Sequence, residues 1–163
     1  MAPVRNRVDR KSKKLITSLR PVAYFVALAM MHNRDEAEEV AQESCLKALD
    51  AVRGGKSLDK VWFAKTAQRE SIKIQKALGK KKALKKLPEV HQLLQTYEAL
   101  SLLDDAEKEL LECAFAHIPA KELEAEFGKP ADRVMSAIRR AQKQLQKLLQ
   151  NKKLSVYEFV VKR

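Results

Sequence analysis

Apolar residues recur at intervals of three and four along most of the chain, which is the period of an amphipathic helix. The pattern predicts helices over residues 15–31, 35–52, 58–78 and 90–102. In the first, Pro21 marks a start or a kink, because proline lacks the N–H that a helix interior needs. In the third, Ser57 is placed to cap the N-terminus. No strand-like alternation occurs before the last ten residues, so the predicted fold class is all-α.

A short helix, a glycine turn and a long basic helix are predicted between residues 119 and 149. The short helix covers 120–127, Gly128 suits the left-handed turn that ends it, and Pro130 begins the long helix. One apolar seam joins the two helices, formed by Leu123, Phe127, Val134, Ile138, Ala141 and Leu145. This arrangement is that of a helix-turn-helix, but an ordinary hairpin with a solvated basic face fits the stretch equally well.

A basic run divides the chain into two small helical domains. The segment GKKKALKKLPE at 79–89 has few apolar anchors and predicts a linker. It separates a domain at 15–78 from a second domain at 90–153, which contains the helix-turn-helix. Residues 1–14 predict a loose basic arm, and the tail at 154–163 turns to β-branched and aromatic residues.

Charge and cysteine usage restrict the classes of function. The 163-residue chain has a net charge of +12 and a pI near 9.8, which indicates a polyanionic partner. Cys45 and Cys113 stand alone, which favours a reduced, cytoplasmic setting and a packing role over a disulfide. The three histidines are scattered, so neither a metal nor a cofactor is predicted. No stretch approaches 20 consecutive apolar residues, which argues against membrane insertion.

The predicted helix at 35–52 combines an apolar stripe with an acidic face. The stripe expected to be buried consists of Val40, Cys45, Leu46 and Leu49. The polar face consists of Asp35, Glu38, Glu39, Gln42 and Glu43. Carboxylates in the first turn of a helix interact favourably with the helix dipole and stabilise the helix, which is one explanation for this face. In so basic a protein, the other explanation is a docking surface for a basic partner protein.

The predicted helix at 58–78 places aromatic residues beside cations. Trp62 and Phe63 lie near its start, followed by Lys65, Arg69, Lys73 and Lys76. Such a helix can stack an unpaired base on an aromatic ring while the cations hold phosphates. Spacing alone favours the alternative that both aromatic residues are core anchors.

Four motifs, taken in order, resemble the extracytoplasmic-function sigma factors of bacterial RNA polymerase. Ala37–Glu43 (AEEVAQE) is similar to the acidic helix of their first domain, and Trp62–Ala67 (WFAKTA) to its aromatic, basic helix. Leu103–Leu111 (LDDAEKELL) is similar to the helix that precedes their helix-turn-helix. Gly128–Leu145 follows the pattern G-x-P-x-x-x-V-x-S-x-[IL]-x-RA-x-x-x-L of their recognition helix. The resemblance covers 15–78 and 100–149.

The resemblance implies a promoter-specificity subunit without catalytic activity of its own. The acidic face would bind the largest-subunit coiled coil of core RNA polymerase. Promoter DNA would be held at the minus-ten element by Arg53, Lys56, Lys60, Trp62, Lys65, Arg69, Lys73 and Lys76. It would be held at the minus-thirty-five element by Lys129, Arg133, Ser136, Arg139, Arg140 and Lys143. An anti-sigma factor is a further partner that the resemblance admits.

Some residues depart from the family pattern. Ala137 stands where arginine is common, Met135 where a polar or basic residue is usual, and Arg69 where asparagine is frequent. Base specificity is therefore not carried over from the family. Two other classes remain open: a helix-turn-helix regulator that binds DNA without polymerase, and a sigma-like mimic that acts through protein contacts.

Overall fold

The computed structural model describes residues 8–79 and 88–149, and every regular element within these ranges is α-helical. The helices are α1 (Arg10–Met31), α2 (Arg34–Arg53), α3 (Lys60–Ala77), α4 (Val90–Leu100), α5 (Asp105–Phe115), α6 (Glu124–Phe127) and α7 (Ala131–Leu149). The all-α prediction is confirmed. The chain forms two compact units, Met1–Val90 and His91–Arg163. The predicted linker residues 80–87, the predicted tail at 154–163 and residues 1–7 of the predicted arm lie outside the described ranges.

Helix α1 begins earlier than its apolar pattern predicts. Asp9 has extended backbone angles and its carboxylate accepts a hydrogen bond from the Ser12 N–H at 2.6 Å, so the helix begins at Arg10. The prediction that 10–14 belong to a loose arm was therefore wrong, because a polar cap can extend a helix beyond its apolar face. Pro21 lies inside the helix, so it does not mark the start of α1.

Helix α1 is also long and apolar enough to cross a membrane by length and composition, with a mean hydropathy of 1.3 over its most apolar window. The core helices of soluble proteins share this weak signal, and 61% of the window is buried within the fold. Its packing neighbours are α2 and α3.

Helix α2 packs on α1 and α3 through small residues. Its buried positions are Ala37, Val40, Ala41, Ser44 and Ala48, which repeat at three and four along one face. Leu46 lies on the opposite face with 53% of its surface exposed, so its predicted burial was wrong. Cys45 and Leu49 are only half-buried. The predicted stripe is rotated about the helix axis relative to the face that is buried. The prediction gave more weight to large apolar residues than to the alanines, which allow close contact between helices.

Helix α3 starts at Lys60 and is capped by Asp59. The Asp59 carboxylate accepts a hydrogen bond from the Trp62 N–H at 2.8 Å, which is the role predicted for Ser57. Ser57 and Asp59 both have side chains that can cap a helix, but the helix begins at Lys60, so Asp59 is the residue at the N-cap position. Gln75, near the other end of α3, donates its side-chain N–H to the Met30 carbonyl of α1 at 2.9 Å. The two ends of α3 are thus fixed within unit 1.

The core of unit 2 forms around α5 and α7. A buried cluster consists of Leu110, Cys113, Leu123, Val134 and Ile138, with Phe127 packed against it. Ala141 and Leu145 are also buried, so the predicted seam between the last two helices is confirmed. Cys113 is buried, Cys45 is half-buried, and neither forms a disulfide. Helix α6 is shorter than predicted, because residues 119–124 form successive turns in which each N–H donates to the carbonyl three residues earlier, and the α-helix begins only at Glu124.

Candidate nucleic-acid and partner-binding surfaces

The acidic face of α2 is accessible. Asp35, Glu38, Glu39, Gln42 and Glu43, the five residues predicted to bind polymerase, are all exposed. Asp35, Glu39 and Gln42 recur at intervals of four and three, so they share one side of the helix. Leu46 continues the same line four residues after Gln42, which places an exposed apolar side chain among the polar ones. We call this set, with Glu43, the α2 face.

Glu38 differs from the other members of the acidic set. Its carboxylate accepts a hydrogen bond from the guanidinium of Arg20 in α1 at 2.6 Å. This hydrogen bond raises the pKa of Arg20. Glu38 therefore links α2 to α1, and a partner protein would have to compete with Arg20 for it.

Helix α3 presents a basic face. Trp62, Lys65, Arg69, Lys73 and Lys76 recur at three and four, and the four cations among them are exposed. Trp62 and Phe63 have separate environments, although their rings meet edge to face with centroids 5.2 Å apart. Phe63 is completely buried, whereas Trp62 is half-buried. The prediction that both are core anchors therefore applies to Phe63 alone.

A cavity of about 530 Å³ lies between the end of α2, the following loop and one side of α3 from Trp62 to Lys73. Of the eight residues predicted to bind the minus-ten element, Lys56, Trp62, Arg69 and Lys73 line it. It is also lined by Lys47, Asp50, Ala51, Gly54, Thr66 and Glu70, which sequence reasoning missed. The short glycine loop between α2 and α3 could have indicated that residues near 50 face residues near 66.

An ion-paired cluster borders this cavity. The Glu70 carboxylate accepts hydrogen bonds from the Lys47 ammonium of α2 and, at 3.2 Å, from the Lys73 ammonium one turn along α3. The Glu70 side chain is only 12% exposed. Burial tends to raise the pKa of Glu70, but the hydrogen bonds from both lysines outweigh it and the pKa lies below its usual value. The hydrogen bond with Glu70 raises the pKa of Lys47. Both shifts favour the charged forms of Glu70 and Lys47 at neutral pH.

The other four predicted minus-ten residues lie outside the cavity lining. Lys65 and Lys76 are exposed along α3. Arg53 ends α2 and lies 3.6 Å from the Asp50 carboxylate. Lys60 is the first residue of α3 and falls off the line that contains Trp62 and Arg69. The structure thus brings four of the eight together and distributes the rest around them.

Helix α7 exposes its basic residues opposite its buried stripe. The predicted residues Arg133, Ser136, Arg139, Arg140 and Lys143 are exposed, and Lys129 is exposed in the preceding turn. Lys147 is also exposed on this side, four residues after Lys143, and sequence reasoning missed it because the recognition-helix pattern ends at Leu145. Met135 is 37% exposed, whereas Ala137 packs against the unit 2 core. Ala137 therefore lies at the edge of the exposed surface.

A groove of about 370 Å³ runs between the start of α5 and the middle of α7. Asp104 and Glu107 line its α5 side, and Arg140, Lys143 and Lys147 line its α7 side. Leu110 and Ala137 contribute apolar surface. Part of the basic surface of α7 therefore faces carboxylates of its own unit. Within the described residues, no group of three or more His, Cys, Asp or Glu side chains is arranged to hold a metal ion.

No family model matches the sequence, and no curated protein matches it. Among solved structures, the chain is similar to one in the co-crystal structure of the sigma factor RpoE in complex with the anti-sigma factor NepR from Bartonella quintana. The identity is 19% and the TM-score 0.40, with 89% of this chain and 100% of that chain covered. A similarity this distant establishes neither the family nor the function.

Proposed function

We propose that this protein is a sigma factor of the extracytoplasmic-function type, which binds core RNA polymerase and directs it to promoters. One observation in unit 1 carries the proposal. A single three-helix unit combines an exposed acidic face on α2 with a basic, aromatic-lined cavity between α2 and α3. In a regulator that only binds DNA, the helix dipole would account for Asp35 in the first turn of α2 but not for the exposed residues further along the face, Glu39 and Glu43.

The α2 face would dock on polymerase. Its carboxylates lie on one side of a helix, which suits a basic partner helix, and Leu46 offers apolar surface at the C-terminal end of the same side. Burying the exposed half of a leucine contributes about 1 kcal/mol, since full burial is worth about 1.5–3 kcal/mol. Charge would guide the encounter and Leu46 would add affinity.

The cavity would hold an unpaired base of the minus-ten element. Trp62 supplies an aromatic surface, and Lys56 and Arg69 supply cations for the flanking phosphates. Extracting a base from a duplex costs a few kcal/mol, so a preformed pocket with nearby cations is needed to offset that cost. In unit 2, α7 would enter the major groove at the minus-thirty-five element with its exposed basic side.

Capture of core polymerase by the tagged protein, followed by run-off transcription from a promoter library, tests the proposal. We expect both binding and promoter-directed transcripts. Binding without transcripts would refute the sigma-factor function and support a sigma-like mimic, which the half-buried Ala137 and exposed Met135 would suit. DNA binding without polymerase binding would leave a helix-turn-helix regulator.

A variant pair isolates the α2 face. Replacing Glu39 and Gln42 by alanine should weaken polymerase binding at least ten-fold, equivalent to about 1.4 kcal/mol, while the protein stays folded. Both residues are exposed and neither belongs to the α1–α2 ion pair. Glu109→Ala on α5 is the control, since it removes one exposed carboxylate elsewhere. Equal affinities for the two variants would rule out the α2 face as the docking site.

A further inference from the structure

Glu124 makes three hydrogen bonds that hold the turn between α6 and α7. Its backbone carbonyl accepts from the N–H groups of Gly128 and Lys129, the second at 3.3 Å. Its carboxylate Oε2 accepts from the Ala131 N–H at 3.0 Å. Ala131 is the first residue of α7, so this half-buried side chain reaches across the turn to the N-terminus of the next helix.

Helix α7 needs such an acceptor because of the residue that precedes it. The Pro130 carbonyl accepts from the N–H groups of Arg133 and Val134, both at 3.0 Å, which places Pro130 where a capping side chain usually stands. Proline has no side-chain oxygen with which to accept a hydrogen bond from the first turn. Glu124 supplies the missing oxygen from seven residues upstream.

The charge of Glu124 has a second consequence for α7. A helix N-terminus attracts anions, including phosphate, because its N–H groups point outward along the helix dipole. Here the Glu124 carboxylate occupies that position, and the exposed Asp132 adds a second negative charge in the first turn. Beyond Asp132, α7 carries five cations and no carboxylate, namely Arg133, Arg139, Arg140, Lys143 and Lys147. Charge is thus divided along the helix axis.

We infer that Glu124 positions α7 and keeps DNA phosphate away from its N-terminus. The DNA backbone then meets α7 along its body, from Arg139 to Lys147, and the end that carries Arg133 and Ser136 is left for base edges. The positioning role stands on the hydrogen bonds alone, whereas the exclusion of phosphate rests on the proposed DNA-binding function.

Three variants of the full chain separate these roles. Glu124→Gln keeps an oxygen that can accept the Ala131 hydrogen bond and removes the charge, whereas Glu124→Ala removes both. Glu122→Gln is the matched control, because Glu122 is exposed nearby and the net charge changes equally. Binding of a labelled duplex of unrelated sequence is measured by fluorescence anisotropy between 50 and 300 mM NaCl.

We expect Glu124→Gln to admit one further phosphate, which steepens the dependence of log K on log salt concentration by about 0.9. A slope difference of about 0.9 changes the ratio of the two affinities roughly eight-fold for each ten-fold change in salt concentration. Taking equal binding at 1 M salt as the reference, Glu124→Gln should bind roughly eight-fold more tightly than wild type at 0.1 M salt. Glu122→Gln should change the slope by much less. Equal slopes for the two variants would overturn the exclusion of phosphate and leave the proposed function intact.

Hydrogen exchange of the Ala131 amide tests the positioning role without DNA. Glu124→Ala should accelerate this exchange at least ten-fold, and Glu124→Gln should retain most of the protection. Unchanged exchange in Glu124→Ala would overturn the positioning role. If the wild-type protein does not bind the duplex, the exclusion of phosphate fails, run-off transcription with core polymerase still decides the proposed function, and exchange decides the positioning role.

Discussion

The ion-paired cluster beside the unit 1 cavity predicts that stability and DNA affinity change in opposite directions when Glu70 is neutralised. In Glu70→Gln the carboxylate shared by Lys47 and Lys73 is lost while both ammonium groups remain. The folded protein then holds two cations close together beside a cavity that already contains Lys56 and Arg69. Stability should fall because the lysines lose their counter-ion, and attraction for phosphate should rise.

The size of the stability loss follows from the exposure of each partner. The Lys73 side chain is 66% exposed and lies three residues from Glu70, so this pair contributes about 0.2–0.5 kcal/mol. The Lys47 pair joins two helices through a carboxylate that is largely shielded from water, and a hydrogen bond to a charged group of this kind contributes about 1–1.5 kcal/mol after screening. Their sum predicts a loss of about 1–2 kcal/mol at pH 7.

The contribution of Glu70 to folding stability changes with pH in a definite direction. The pKa of Glu70 is lowered in the folded state, so its contribution is fully present above the unfolded pKa of about 4.3 and is lost as pH falls through the lowered folded value. The difference in stability between wild type and Glu70→Gln should therefore be constant from about pH 5 to 8 and should shrink towards zero as pH falls through the lowered folded-state pKa of Glu70. The raised pKa of Lys47 acts only in the alkaline range, where stability is lost as pH rises through it.

Urea unfolding followed by tryptophan fluorescence measures this difference, because Trp62 is the single tryptophan of the chain and lies in unit 1. Glu39→Gln is the control, since it removes one negative charge from an exposed position of α2 that is not part of the cluster. Duplex binding is measured with the same proteins at 0.1 M salt. If Glu70→Gln is as stable as the Glu39→Gln control at pH 7, the bridge between α2 and α3 does not exist in solution.

Two further predictions concern the turn before α7 and the aromatic side of the cavity. Gly128→Ala should destabilise unit 2 by about 1–2 kcal/mol, because φ is +63° while an added Cβ would meet no atom within 4 Å, so the cost comes from the left-handed backbone alone. Hydrogen exchange of α7 amides measures this loss, and Gly54→Ala, at a glycine with negative φ, should be close to neutral. Trp62→Ala should weaken binding to a duplex containing a short unpaired stretch by about 1–3 kcal/mol, whereas Trp62→Phe should keep most of the affinity. Equal binding of the unpaired and fully paired duplexes by the wild-type protein would contradict a stacking role for Trp62.

Local sequence patterns were sufficient for the helices and for the seam of unit 2. Helix content depends on apolar periodicity and on capping residues close in the chain, which can be read directly. The turn at Gly128 and the burial of Leu123, Val134 and Ile138 follow from the same local rules. The exposure of the acidic residues of α2 was also predictable, because one side of an amphipathic helix must face solvent.

The positions that depend on neighbouring helices were not predictable in this way. Leu46 is exposed because close packing of α2 against its neighbours selects a face of alanines, which hydrophobicity alone ranks below leucine. Trp62 and Phe63 are adjacent in sequence and similar in character, and only the packing of α3 separates a buried ring from one that lines a cavity.

The sequence by itself determined the helical periodicity, the division of charge between α2, α3 and α7, and the glycine turn, because each is a property of residues a few positions apart. Tertiary structure alone decided that Lys47 and Lys73 share the carboxylate of Glu70, and that Glu124 caps a helix in place of Pro130. The Lys47–Glu70 contact depends on how α2 packs against α3, and the Glu124–Ala131 hydrogen bond depends on the path of the turn before α7, and apolar periodicity encodes neither.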